Sequence, residues 1–230
     1  RKCDVLALSV TVDDDPRSWY VPMLHREAGA PNLPREAISD WACEVVDTAG
    51  AWVNSHVKYD AHVLTNCLGV IPPASLPLVD TITLAKIVDS DRLQYRLSRL
   101  VKDLVGRDVS RFQDAFAPYT HRNKDYGAIP TDVMAPYACQ DALDVRDVFK
   151  YLWHRVPEQC HEVRDMEIRM TRVLFEMERA GMRVTSDLLR HEMVVLNTML
   201  AIDMELTELA GRSFRPGTNA DCFDVLCNQF

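Results

Sequence analysis

The spacing of hydrophobic residues changes period along this chain, and that change restricts the possible folds more than any other feature. Between Val5 and Val12, the residues Leu6, Leu8, Val10 and Val12 alternate with smaller or polar ones, the period of two expected of a strand. Asp13, Asp14, Asp15, Pro16 and Arg17 supply a turn, and Trp19 to Pro22 reads as the returning strand of a hairpin. From Pro34 the period lengthens. Ile38, Trp41, Ala42, Val45 and Val46 fall on one helical face, with Pro34 suited to a first-turn position. A short apolar strand follows at 51–53, then a helix over 59–68 stopped by Gly69. Leu78 and Val79 lead through Asp80 and Thr81 into a helix over 82–88. Strands and helices taking turns in this way predict an α/β layered domain.

Further on the pattern is helical throughout. Residues 97–105 read as one helix, 110–130 as a polar, irregular stretch, and a strong helix begins near Pro136 and closes at Pro157. Beyond Pro157, Val163, Met166, Met170, Val173, Leu174 and Met177 form an apolar stripe ended by Gly181. Thr185, Ser186 and Asp187 offer N-cap residues for another helix, with Leu189, Met193, Leu196, Leu200 and Met204 on its face. Methionine stripes of this kind are ordinarily packing surfaces. The division by texture is therefore an α/β domain over 1–157 and an all-helical segment over 158–230. The first stripe should pack on the α/β domain or on the second helix.

No apolar run approaches the ~20 residues of a membrane helix, so no membrane contact is expected. The chain starts at Arg1 with no initiator Met or leader, which reads as a piece of something longer. Net charge is −8, from 26 basic and 34 acidic residues, so a nucleic-acid contact would have to be local. An acidic total still admits a metal-dependent nuclease, which gathers carboxylates around divalent cations. The seven cysteines are scattered and never spaced CxxC, the usage of a reduced intracellular protein without a zinc site.

Two constellations could carry chemistry. Tyr137 and Asp141 stand four apart on a helix and so share a face. A carboxylate beside a phenol could bind a divalent metal while the hydroxyl orients a water; a half-buried Tyr beside a solvated Asp fits the spacing equally. Asp60 opens a helix just after an apolar strand, where it could ligate a metal or simply favour the positive helix end. His56 alone reads as structural or solvated. The acidic triplet Asp13, Asp14 and Asp15 reads as a solvated hairpin tip.

Together these segments resemble a known family. Val-Lys-Tyr-Asp-Ala-His-Val-Leu at 57–64 resembles the second motif of DnaQ-like 3′–5′ exonucleases, and Tyr137-Ala-Cys-Gln-Asp141 resembles the third, in its Tyr-x-x-x-Asp form. Asp80-Thr81, the helix at 97–104 and Tyr126-Gly-Ala-Ile-Pro130 are similar to the intervening text of family A (bacterial polymerase I-type) DNA polymerases. Phe175-Glu-Met-Glu-Arg-Ala-Gly-Met-Arg-Val184 and Glu208-Leu-Ala-Gly-Arg-Ser-Phe214 resemble the start of that family's polymerase thumb. The order is colinear over nearly the whole chain.

The resemblance implies a ribonuclease H-like fold, a mixed sheet flanked by helices, and proofreading removal of the 3′-terminal nucleotide from single-stranded DNA. It implies two Mg²⁺ or Mn²⁺ ions, with Asp141 and Asp60 as metal ligands, Tyr137 orienting the water and Tyr59 touching the DNA. The partners it implies are the primer 3′ end and the polymerase palm and fingers, in the cytoplasm of a bacterial or phage-infected cell. The family's first motif, Asp-x-Glu, has no counterpart here. By spacing from Asp60 it would precede Arg1; in another register Ser9 and Thr11 would replace it, giving a degenerate, non-catalytic scaffold or DNA-binding domain. With two of four carboxylates the chain itself is expected to be nearly inactive. An RNase D-like RNA exonuclease is the remaining alternative. His56 stands where the family more often has Asn.

Overall fold

The computed structural model describes residues 4–109, 116 and 125–228. Most of the polar stretch at 110–130 therefore lies outside the described residues. The chain divides into two compact units, Arg1–Ala180 and Gly181–Phe230.

The first unit opens with the expected hairpin, β1 (Ala7–Thr11) against β2 (Ser18–Pro22), antiparallel with Leu8 opposite Val21 and Ser9 opposite Tyr20. Then come α1 (Arg35–Thr48), β3 (Trp52–Asn54), α2 (Val57–Leu68), β4 (Leu78–Asp80) and α3 (Thr81–Val88). β3 and β4 pair in parallel, Trp52 with Leu78 and Asn54 with Asp80, and α2 is their crossover. Both pairing senses are present, but in two separate two-stranded sheets rather than one. Among the described residues, no strand pairs with the second edge of β1 or of β3.

Period-two alternation sends the two faces of each sheet to different cores. In the hairpin, Leu8 and Val21 pack with Ile38, Ala42 and Val46 of α1, whereas Tyr20 packs with Met134 and Tyr137 from the other side. In the parallel pair, Leu78 packs with Val57 and Ala61 of α2, whereas Val79 joins Leu84, Leu100, Val148 and Leu152. Helices thus cover both faces, as an α/β layering requires.

The helix expected over 97–105 is α4 (Leu97–Leu100) followed by a π-turn at Val101–Val105, which ends on Gly106 in the left-handed region. The helix expected from Pro136 starts five residues earlier: α5 runs Thr131–Trp153 with Pro136 inside it. Proline there removes one hydrogen bond, to the carbonyl of Asp132, an exposed residue whose carbonyl water can serve. The start is fixed from outside the helix. Glu27 Oε2 accepts the Thr131 N–H at 2.8 Å, and the buried His25 links Ile129 O (2.9 Å) to the Tyr20 hydroxyl (2.6 Å). Arg26 N–H donates to Gly127 O at 2.9 Å, and a Cβ on Gly127 would sit 3.3 Å from Leu24 O.

The acidic turn is not simply solvated. Lys150 on α5 pairs with Asp13 (3.2 Å) and Asp14 (2.7 Å), and Asp15 pairs with Arg17 (2.7 Å). Lys150 on the last turn of α5 thus pairs with the first two carboxylates of the turn, which remain exposed to water.

Helix α6 (His161–Ala180) belongs to the first unit by compactness, although its texture groups it with the helical segment. Its inward residues are Ile168 and Phe175, seven apart. The methionine stripe, Val163 to Met177, faces away and stays exposed, Met177 to 62%. The stripe expected to be a packing face is therefore the outer face of this helix in the first unit. The second unit holds α7 (Ser186–Leu209), capped as expected by the Thr185 hydroxyl on the Leu188 N–H, and α8 (Asn219–Asn228). Among the described residues, no helix is long and apolar enough to cross a membrane.

Candidate active site

Helix α2, the crossover between β3 and β4, and helix α5 carry the residues singled out by sequence. β3 ends at Asn54 and β4 at Asp80, side by side in register. Carboxyl ends of parallel strands open onto helix N-termini, and here both ends are polar. Asn54 Nδ2 donates to Asp60 Oδ2 at 2.5 Å, which turns the carboxylate of α2's first turn back toward β3. Asp80 serves two helices at once. Its Oδ1 accepts the Ile82 N–H (2.9 Å) at the start of α3, and its Oδ2 accepts the Val57 N–H (3.2 Å) at the start of α2.

The chain enters α2 through His56 at φ 63°, among the described residues the one left-handed position outside glycine. A left-handed backbone is costly for a residue with a Cβ, less so for asparagine and not at all for glycine. We expect His56→Gly to stabilise the first unit by about 0.5–1 kcal/mol, because the cost of a left-handed side chain (~1–2 kcal/mol) exceeds the entropy glycine loses on folding. Urea unfolding checks this.

Asp60 is half-buried, and burial pushes its pKa up to about 6; His56 opposes the shift and the negative charge of Asp80 adds to it. Asp141 has the same elevation from its own surroundings. Burial pushes it up to about 6, a hydrogen bond from Tyr137 pulls it down, and Asp144 pushes it up. Tyr137 is brought to about 12, chiefly by burial and then by Asp141. The i, i+4 pair read from sequence is thus a hydrogen-bonded pair. The Tyr137 ring also meets Phe116 edge-on at 5.0 Å. One turn further along α5, the buried Asp144 accepts hydrogen bonds from Arg107 and Gln140.

Tyr59 is 62% exposed, so its ring is open to a ligand. α5 packs across β1, β2 and β3, which places the Tyr137–Asp141 helix against the strand that holds Asn54. The groups acting on Asp60 are His56 and Asp80, and those acting on Asp141 are Tyr137, through a hydrogen bond, and Asp144, through its charge. Sequence reasoning missed Asn54, Asp80 as a double cap, and Asp144. Only Asp80 had a signal, the Asp-Thr pair before a helix.

Half-buried oxygen donors with raised pKa values suit a hard divalent cation, which would supply the positive charge they lack. Among the described residues, however, no three His, Cys, Asp or Glu side chains converge on one point. Asp60 and Asp141 are oxygen donors of the kind such a cation accepts. Without a cation their elevation sets a pH dependence. A carboxyl whose folded pKa lies above its unfolded value stabilises the fold below the unfolded pKa, and that stability is lost as pH rises through the folded value. Between pH 5 and 7 the chain should therefore lose of order 1–2 kcal/mol more than its Asp60→Asn/Asp141→Asn variant, after discounting for solvent screening. Denaturant melts at the two pH values in chelator measure the difference.

No protein-family model matches the chain. DNA polymerase I of Pseudomonas aeruginosa is 26% identical over 230 residues, covering 95% of this chain and 24% of the polymerase. DNA polymerase DpoZ of Acinetobacter phage SH-Ab 15497 is 26% identical over 179 residues, covering 71% of this chain and 28% of that protein. The chain thus spans about a quarter of the length of these relatives, and the similarity agrees with the resemblance read from the motifs. A solved structure described as the apo form of a nuclease superposes with a TM-score of 0.50 at 18% identity, and Brucella melitensis NrnC with 0.51 at 16%. Each covers 75% of this chain and 72% of its own. This likeness is one of fold.

Proposed function

We propose that this chain is the 3′–5′ exonuclease region of a family A DNA polymerase, together with the start of its thumb, and that it removes the 3′-terminal nucleotide from a single strand. The observation that carries the reading is the hydrogen-bonded Tyr137–Asp141 pair on the helix that packs against β3, whose last residue orients Asp60. Similarity to two DNA polymerases over most of the chain supports the polymerase context.

In this reading Asp60 and Asp141 hold divalent cations, Mg²⁺ or Mn²⁺, which when bound supply an activated water and charge stabilisation for the departing 3′ oxygen. Asn54 fixes the direction of Asp60, and Asp80 fixes the helix on which it stands. Tyr137 holds a water through its hydroxyl while its ring stays seated on Phe116. Tyr59 offers an exposed aromatic face on which a terminal base or sugar stacks. The complete site takes further carboxylates of the Asp-x-Glu kind, so the 230 residues alone should hydrolyse little.

The test uses the polymerase that carries this region and a 5′-labelled single strand. One-nucleotide shortening from the 3′ end with Mg²⁺ or Mn²⁺, and none in chelator, is the expected result. Shortening that persists in chelator, or none under any condition, overturns the reading. Parallel oligodeoxynucleotide and oligoribonucleotide arms separate a DNA proofreader from an RNA exonuclease. Intact primer extension without digestion would favour a non-catalytic scaffold.

A further inference from the structure

Lys58, His62 and Asn66 lie four residues apart on α2 and so make one stripe. Helix α6 meets this stripe with Phe175, Glu178 and Arg179. Phe175 is 1% exposed, its ring 4.6 Å from that of His62, and Arg179 donates to Asn66 at 3.3 Å. These contacts, with Arg172 on the carbonyls of Pro72 (2.8 Å) and Pro73 (3.1 Å), seat α6 without Glu178. Glu178 does something different. Each of its carboxylate oxygens takes one donor: Oε1 accepts from Lys58 Nζ at 2.5 Å and Oε2 from His62 Nε2 at 2.9 Å.

The members of this cluster differ in exposure. The Lys58 and His62 side chains are 29% and 23% exposed, whereas Glu178 is 48% exposed. The two donors are held and the anion is the outer, solvent-side partner. Two N–H donors converging on two oxygens of one anion is also the geometry that grips the two non-bridging oxygens of a phosphodiester. His62 can donate through Nε2–H in a neutral ring, so the arrangement does not depend on its charge.

Position adds to the geometry. At about 100° per residue, Asp60, then Tyr59, then Lys58 with His62 follow one another round the first turns of α2. A strand whose end lies at Asp60 and which stacks on the exposed Tyr59 continues onto Lys58 and His62. With a net charge of −8 the chain has no general basic face, so a phosphate needs a local seat of this kind.

We propose that Lys58 and His62 form a phosphate seat for a single nucleic-acid strand, and that Glu178 is a resident anion which the strand displaces. The choice of ligand class rests on the exonuclease reading; the site itself rests on the ion cluster. Glu178 would then lower affinity for the strand, so that only a strand that also engages Tyr59 and the Asp60 end competes well.

The experiment measures binding in chelator, where nothing is hydrolysed, by fluorescence anisotropy of labelled oligo(dT) and oligo(U) with the full chain. E178Q keeps the side chain's size and removes its charge. It should bind both probes about three- to ten-fold more tightly, the scale of two released surface ion pairs, with a steeper loss of affinity as salt rises. Lys58→Ala in that background should cancel the gain. Equal or weaker binding by E178Q, at unchanged melting temperature, overturns the proposal and leaves Glu178 as a strut. Tightening on oligo(U) alone or oligo(dT) alone also overturns it, because a phosphate seat does not read the sugar. Should E178Q fold poorly, Lys58→Gln replaces it. It must weaken binding more than the same charge change at Lys102, and equal effects sink the idea. Hydrolysis lost with the E178Q effect intact removes only the nuclease reading, and the converse removes only this one.

Discussion

Replacing Asp141 by alanine in the polymerase that carries this region is expected to abolish 3′-end digestion, whereas Tyr137→Phe should slow it by about one to two decades. The roles differ. Asp141 is a half-buried carboxylate whose raised pKa marks an unmet demand for positive charge. In the proposed role, removing it would remove a ligand of the cation, and with it the charge stabilisation of the transition state. Tyr137 contributes one hydroxyl, worth about 1–3 kcal/mol as a lost hydrogen bond. Its ring stays packed edge-on to Phe116 in the phenylalanine variant, so the fold should hold. The same hydroxyl pulls the Asp141 pKa down, so Tyr137→Phe should also move the acid limb of the rate profile to higher pH. Primer extension by both variants should survive. A gel assay of digestion and extension on the same preparations reads all of this. Digestion that survives Asp141→Ala but not Tyr137→Phe reverses the roles, and loss of extension in both marks a folding defect.

The largest effect on stability is expected at Phe175. Its side chain is almost wholly buried against Val57, Ala61 and Leu78, beneath the His62 ring and flanked by Arg172 and Arg179. Phe175→Ala should cost about 3–5 kcal/mol, the transfer loss plus the cavity. That is a large share of a stability of about 5–15 kcal/mol. All four tryptophans, Trp19, Trp41, Trp52 and Trp153, lie in the first unit, so their fluorescence follows its unfolding. A loss below 1 kcal/mol would mean that α6 is not part of that cooperative unit.

Much of this architecture was legible because it rests on local periodicity. The hairpin, α1, α2, α3 and α7 follow from spacing and from caps such as Gly69 on α2 and Thr185 on α7. Tyr137 and Asp141 were legible as a pair because four residues on a helix guarantee a shared face. The start of α5 was not legible, since Pro136 resembles a first-turn proline while the actual start is fixed by Glu27, more than a hundred residues upstream. Nor were the Asn54–Asp60 bond, which depends on the left-handed turn at His56, and the Arg107–Asp144 pair, whose partners lie thirty-seven residues apart. Which face of α6 meets the α/β domain was not legible for a related reason. Both its methionine stripe and the Ile168–Phe175 line are helically spaced, and only a partner surface chooses between them.

Asp80 leaves a mark on the order in which the domain assembles. One of its oxygens serves Ile82, two residues away, and the other serves Val57, twenty-three residues back across the whole crossover. The first bond closes as fast as a helix nucleates, on the order of a microsecond or less. The second must wait until a loop of that length has closed and β3 lies beside β4, at an entropic cost that grows as (3/2)RT ln n. A single carboxylate therefore takes part in an early event and a late one. Substitutions that silence only its local partner should act mainly on the unfolded and nascent chain, and those that silence its distant partner on the rate-limiting barrier.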